Sequence, residues 1–243
     1  MFGPRQNSLL AALPREDQAL LFPALELIEL PLDYLIHKPS DKLIHCYFPT
    51  DCVITKIASL ANGDSAEIAI IGFEGMVSVC LFMGGDSMPH ETLVKSPGHA
   101  YRVKSQIIKN LFMTSVSARR IFLSYTQTLI TQMAQTAVCN RHHLVIQQLS
   151  RVLLFISDRL PSNEIVMTQE RIALMLGVRR EGITEAAKIL QEEGLIEHTR
   201  GHLKIIDRQG LESRACECYQ VVKKEEARLC PYNQYPAVNE LRA

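Results

Sequence analysis

The sequence predicts an α+β chain of two ordinary domains: a sheet-rich N-terminal half, one long helix, and a C-terminal pair of short helices closed by a strand hairpin. Three observations carry this reading. Between Leu27 and Val103, short runs rich in Ile, Val, Leu and Tyr alternate with turn signals. From Ser115 to His143 there is neither proline nor glycine. Near the C-terminus, Gly177 separates two short amphipathic segments.

In order along the chain, Asn7 to Leu25 carries Leu9, Leu10, Leu13, Leu20 and Leu21 interrupted by Pro14 and Pro23, the pattern of short helical turns packed on something larger. The following runs are punctuated at Lys38-Pro39-Ser40-Asp41, Asn62-Gly63-Asp64, Gly84-Gly85-Asp86 and Ser96-Pro97-Gly98. Many short strands with regular turns indicate an antiparallel sandwich or barrel. Asn62-Gly63 is the best tight-hairpin signal, because both residues tolerate positive φ. In the long helix Ile121, Tyr125, Leu129, Met133 and Ala137 recur every four residues, with Phe122, Thr126, Ile130 and Thr136 drifting into the same stripe. A seam this broad suits pairing with a second copy; packing on the chain's own sheet is the alternative. A second amphipathic segment, Leu144 to Leu160, ends at the turn Pro161-Ser162-Asn163, and the two histidines before it, His142 and His143, are expected to be exposed helix residues. Leu211 to Leu229 reads as one helix with a polar face, and Pro231 to Ala243 as a loose tail. The expected divisions are therefore 1–114, 115–143, 144–210 and 211–243.

Composition bounds the function. Hydrophobic residues make up 47% and charged residues 21%, as in a folded chain with a sizeable core. No apolar run is long enough for a membrane span and the start lacks a signal-like apolar segment, so a cytoplasmic location with no membrane partner is expected. Seven cysteines, an odd number spread over both halves, do not make a disulfide framework. The formal net charge is +0, and each half is nearly balanced, with 11 basic and 12 acidic residues in 1–140 and 15 and 14 in 141–243, so any affinity for a polyanion must come from local placement.

The segment from Glu164 to Asp207 carries most of the functional information. Thr168 can cap a helix whose first turn holds Gln169 and Glu170, whose inner face is Ile172, Ala173 and Leu176, and which Gly177 stops. A second helix from about Arg180 to Glu193 buries Ile183, Ala186 or Ala187, and Leu190, and ends at Gly194. Two short helices about a glycine turn are a helix-turn-helix, and a helix of this kind fits the major groove with its N-terminal residues at base edges. Leu195 to Thr199 and His202 to Ile206 then alternate as two strands joined at Arg200-Gly201, a wing. The candidate DNA-contacting residues are Thr168, Gln169, Arg179, Arg180, Glu181, Thr184, Glu185, Lys188, Arg200, His202 and Lys204. A purely structural use of the same elements, in an effector-binding or protein-interaction module, is the competing reading. The sequence carries no phosphate loop, zinc-protease motif or nucleophile elbow, so catalysis is not expected.

From Thr168-Gln169-Glu170 through Gly194-Leu195-Ile196, and in Tyr47-Phe48-Pro49 with Ile70-Ile71-Gly72-Phe73-Glu74-Gly75-Met76, the chain resembles the Crp/Fnr superfamily of bacterial transcription regulators, those of the cyclic-AMP receptor protein and fumarate-nitrate regulator type. The resemblance implies an N-terminal β-roll of the cyclic-nucleotide-binding, jelly-roll kind, a long dimerisation helix and a C-terminal winged helix-turn-helix. It also implies as partners double-stranded DNA with a near-palindromic site, a second copy of the chain, and RNA polymerase; an effector, if there is one, is an unidentified small molecule.

Two departures matter. Arg180 and Glu181 match the start of the family's recognition helix, but Glu185 stands where a second arginine belongs; an arginine donates to guanine, whereas a carboxylate can only accept, for example from a cytosine amino group. In the roll, Gly75 is followed by Met76, Val77 and Ser78 in place of the family's ribose-holding glutamate, and Leu81 to Lys95 contains no arginine for a cyclic phosphate. Cyclic-nucleotide binding is therefore not expected, nor is an iron-sulfur cluster, since residues 1–40 hold no cysteine. Cys46, Cys52 and Cys80 read as small buried apolar residues. Cys216 and Cys218, with Cys230 beyond, form the only close thiol pair; on one helix their spacing points them apart, so neither a metal nor another cofactor is expected.

Overall fold

The computed structural model describes residues 3–160, 164–199 and 201–233. The turn expected at Pro161-Ser162-Asn163, Arg200, and the tail beyond Asn233 lie outside the described residues.

The chain opens with two short helices, α1 (Ser8–Ala12) and α2 (Arg15–Leu21). Asn7 caps α1 by accepting from the Leu10 amide, and its Nδ2 donates to the carbonyls of Pro49 and Gly75 at 2.9 and 2.8 Å. A fully buried amide thus fastens the lead-in to two segments of the sheet domain. Seven strands follow: β1 (Glu26–Leu30), β2 (Leu35–His37), β3 (His45–Pro49), β4 (Val53–Ser59), β5 (Ser65–Ile71), β6 (Glu91–Ser96) and β7 (Gly98–Lys104). They form two antiparallel sheets, ordered β1-β7-β3 and β2-β6-β4-β5. The expected sandwich is present. Its β4–β5 hairpin is looser than a two-residue turn: five residues, Leu60 to Asp64, connect the strands, closed by Leu60 N–H to the Asp64 carbonyl and with Gly63 at φ 91°.

Next come α3 (Ser105–Thr114) and the long helix α4 (Val116–His142), whose first turn is capped by Ser115. The face α4 buries differs from the one its four-residue period suggests. Ala118, Phe122, Tyr125, Thr126, Thr128, Leu129, Gln132, Thr136 and Cys139 turn into the chain's own core, while Leu123, Ile130, Ala134, Ala137 and Val138 remain exposed. Tyr125 and Leu129 are therefore spent within the chain because β5 and the core lie against that side. Gln132 accepts from Ile70 N–H at 2.7 Å and donates to Ile70 carbonyl at 3.2 Å, so α4 closes the open edge of β5.

The C-terminal half runs α5 (Val145–Ser157), β8 (Glu164–Val166), α6 (Gln169–Leu176), α7 (Arg180–Glu192), β9 (Ile196–Thr199), β10 (His202–Ile205), α8 (Arg208–Arg214) and α9 (Glu217–Leu229). Its core packs α5 between α7 and α8 around Leu149, Leu153, Phe155, Ile183, Leu190 and Leu211. The wing has three strands, ordered β8-β10-β9; β8 escapes sequence reading because only Ile165 of its three residues is buried. The single helix expected from Leu211 to Leu229 is broken: Ala215 is extended (φ −73°, ψ 153°) and Cys216 is the N-cap of α9. That break lets α9 turn back and pack along α4.

One buried network joins the halves. Arg159 donates to Glu74 at 2.7 Å, to Glu226 at 2.9 Å and to the Phe155 carbonyl at 3.1 Å. Burial opposes the guanidinium charge, yet the carboxylates of Glu74, Glu226 and Asp158 hold its pKa above the usual value. Truncating one partner of such a set strands the other charges in the interior. Arg159→Met is expected to lower the unfolding free energy by roughly 3–5 kcal/mol, read as a fall in the urea midpoint.

Candidate nucleic-acid interface

The helix-turn-helix is set by local chemistry. Thr168 Oγ1 accepts from the Arg171 amide at 3.3 Å, capping α6. Gly177, at φ 64°, ends α6 in the left-handed region; Val178 N–H reaches the Ala173 carbonyl at 3.1 Å to complete a Schellman-type stop. A side chain at Gly177 would be strained by the backbone and would come to 3.4 Å of the Ser65 carbonyl, where α6 rests on β5. Arg171 also forms an ion pair with Asp33 of the sheet domain.

The second helix, α7, is amphipathic in register with this packing. Ile183, Ala186, Ala187 and Leu190 are buried, while Arg180, Glu181, Thr184, Glu185 and Lys188 are exposed and together line one shallow surface concavity. Arg179, the N-cap, is exposed beside them. Thr184 Oγ1 donates to Gln169 Oε1 at 2.8 Å, tying the two helices at this surface, and Lys188 lies 3.7 Å from Glu192. Gly194, at φ 72°, turns the chain into the wing.

The wing is less basic than its sequence suggests. His202 Nδ1 lies 3.0 Å from Glu164, a partner supplied by the unforeseen β8. Lys204 is exposed but stands in register with Glu164 on one side and Glu197 on the other. Arg179 and Arg180 stand together, both exposed, at the N-terminus of α7.

Residues 147–214 match a family described as the Crp-like helix-turn-helix domain. The chain carries a Crp-like helix-turn-helix domain. This Crp-like domain takes in α5 through α8, and the architecture around it is also shared. The chain is similar in structure to a proposed Crp/Fnr-family transcriptional regulator from Eubacterium rectale (TM-score 0.66, 18% identity, covering 86% of this chain and 98% of that one). It is likewise similar to FixK2 from Bradyrhizobium japonicum (TM-score 0.66, 14% identity, 79% and 98% covered). A third similar structure is a Crp-family transcriptional regulator from Thermus thermophilus (TM-score 0.64, 13% identity, 77% and 96% covered). At these identities the likeness is one of fold: a β-roll, a long helix and a Crp-like domain in the order of Crp/Fnr regulators. No curated protein matches the sequence. Among the described residues no helix is long and apolar enough to cross a membrane.

Inside the roll lies a cation that the sequence motifs do not mark. Although Leu81 to Lys95 has no arginine, Lys56 of β4 is buried there, with Nζ 3.3 Å from Met88 Sδ, and burial lowers its pKa to about 8. The roll thus does hold a cation, supplied by a strand that no motif singles out. The Gly72–Ser78 turn is occupied by the chain itself: Tyr125 donates to the Met76 carbonyl at 3.2 Å, and a Cβ on Gly75 would lie 2.3 Å from the Tyr125 hydroxyl. Cys46 and Cys52 are buried, and burial raises both thiols to about 12, while Cys80 is half-buried. Three cysteines and a histidine, Cys139, His143, Cys216 and Cys218, also converge where α4 meets α9, outside the helix-turn-helix.

Glu67, fully buried on β5, is raised from 4.5 to about 7 by burial, although Thr55 donates to it at 2.5 Å. Its folded-state value exceeds its unfolded one, so the fold gains a proton between pH 4.5 and 7 and loses the associated stability as pH rises through that window. Glu67→Gln is expected to be more stable than wild type by about 1–3 kcal/mol above pH 7, the difference shrinking to near zero at pH 4.5. His37, lowered to about 4 mainly by burial, titrates equally in both proteins and cancels in the paired denaturation curves.

Proposed function

We propose that the protein is a cytoplasmic, sequence-specific transcription regulator that binds a near-palindromic DNA site as a homodimer and is not controlled by a cyclic nucleotide. The observation that carries this reading is the free outer face of α7: every candidate base-reading residue on it is exposed, on a helix whose opposite face is packed into the Crp-like domain. A helix in the major groove would then read base edges with Glu181, Thr184 and Glu185 and meet phosphates with Arg179 and Arg180. Thr168 and Gln169 flank that face at the start of α6. His202 and Lys204 project from the wing beside the carboxylates of Glu164 and Glu197.

Homodimer formation is supported by the stripe that α4 leaves uncovered. Val116, Leu123, Ile130 and Ala137 fall on one heptad line and Arg120, Gln127, Ala134 and Arg141 on the neighbouring one, all exposed, the spacing at which two helices supercoil. Two recognition helices related by the dimer axis would enter major grooves about 34 Å apart. Independence of cyclic nucleotides is supported by the absence of arginine in Leu81 to Lys95 and by the tyrosine-filled turn at Gly75. A regulatory role is favoured over catalysis by the Crp-like domain and by the lack of any catalytic motif. RNA polymerase is the further partner that suits such a role, and an effector, if there is one, is an unidentified small molecule.

Selection of bound sequences from random duplexes, followed by gel shifts across a salt series, tests the reading. Binding is expected to fall with salt. Arg180→Ala should weaken binding to all sequences alike and lower the salt slope by about one. Glu185→Ala should change the preferred base at one position in each half-site, a discrimination of about 1–3 kcal/mol. An absence of salt-sensitive duplex binding would favour the protein-interaction reading. An unaltered base preference in Glu185→Ala would remove that residue from the readout.

A further inference from the structure

The end of α4 and the start of α9 bring together side chains that the sequence holds far apart. Cys139 lies in the last turn of α4 and His143 is its C-cap; Cys216 is the N-cap of α9 and Cys218 lies in its first turn. The expectation that Cys216 and Cys218 point apart assumed a continuous helix. Because the helix breaks at Ala215, Cys216 stands outside helical geometry and both sulfurs turn toward α4. His143, expected to be exposed on a helix, is instead folded in beside them. All three thiols are buried, and the four ligand atoms lie within 4.8 Å of one another.

We propose that Cys139, His143, Cys216 and Cys218 form a Cys3His site for a single tetrahedral divalent ion of the zinc class. The spacing fits the ion: ligands bonded at ~2.0–2.3 Å to one tetrahedral centre stand about 3.5–3.8 Å apart. Cys139 Sγ is 3.5 Å from Cys216 Sγ, and Cys218 Sγ is 3.6 Å from His143 Nδ1. The outer shell matches as well. With Nδ1 turned to the sulfurs, His143 Nε2 lies 3.3 Å from the Glu217 carboxylate, the partner that fixes the tautomer of a metal-bound imidazole. Three thiolates around a divalent ion leave one negative charge, and the nearby guanidinium of Arg151 is buried, with an Nε that has no hydrogen-bond acceptor among the described residues. Gln148 donates to the carbonyls of Cys139 and His143, at 3.4 and 2.8 Å, and so holds the α4 end in place. A disulfide would use two of these sulfurs and leave the third and the imidazole without a role. A polynuclear iron-sulfur core would need ligand sulfurs spread more widely than these.

The test uses the full chain, purified reduced, stripped with a chelator and titrated with Zn(II) or Co(II). One equivalent per chain should bind. Co(II) should give the thiolate charge-transfer and visible bands of a tetrahedral sulfur-rich site, and Zn(II) should raise the melting temperature of the stripped protein. Cys218→Ser should lose the cobalt spectrum and the zinc-dependent rise in melting temperature. Glu217→Gln, an exposed change that leaves the fold intact, should keep the spectrum and weaken binding roughly tenfold. The proposal is overturned if the folded, reduced wild-type chain takes up neither ion. It is equally overturned if the cobalt spectrum lacks thiolate bands, or if Cys218→Ser binds as wild type does.

Discussion

Arg159 occupies the point at which three parts of the chain meet. Its guanidinium reaches the Glu74 turn of the sheet domain, the Phe155 carbonyl at the end of α5, and Glu226 on α9. A charge this deep is tolerable only because it is matched and hydrogen-bonded on several sides, and each carboxylate depends on it in turn. The neighbouring Asp158 extends the set, accepting from Arg208 at 2.5 Å and from Tyr219 at 2.9 Å, with Lys223 at 3.1 Å. The seating of the Crp-like domain on the roll is thus a matter of polar satisfaction as well as apolar packing. Hydrophobic contact alone would permit sliding; a forked donor shared among fixed acceptors does not.

A second contact sets the angle of the helix-turn-helix. Through Gly177, α6 approaches β5 closely enough to meet the Ser65 carbonyl, and Arg171 pairs with Asp33. Both contacts are made by α6 and the turn that follows it, while Arg180, Glu181, Thr184, Glu185 and Lys188 of α7 remain exposed. The docking residues and the exposed candidate readers are therefore different side chains of adjacent elements.

Much of this was legible in the sequence where a local rule decides the structure. Thr168, Gly177 and Gly194 mark the ends of α6 and α7 because capping and positive φ are properties of single residues, and the outer face of α7 followed from its helical period. What escaped was set by tertiary context. The inward face of α4 could not be chosen by period alone, since Tyr125 and Leu129 would suit a partner helix as well as the sheet edge they cover. Strand β8 was invisible because three residues carry no usable period. Lys56 belongs to no motif, and only the closed roll buries it. The break at Ala215 and Cys216 carries no glycine or proline, so nothing local announces it, and the meeting of Cys139 with Cys216 spans 77 positions.

That break has a mechanical corollary. The chain passes into the Crp-like domain from the end of α4 and leaves it at the start of α9, and these two helices lie packed together. The domain is consequently suspended from a doubled stem rather than a single tether. Any reorientation of the domain would have to turn both connections together and break the Arg159 network and the Arg171–Asp33 pair.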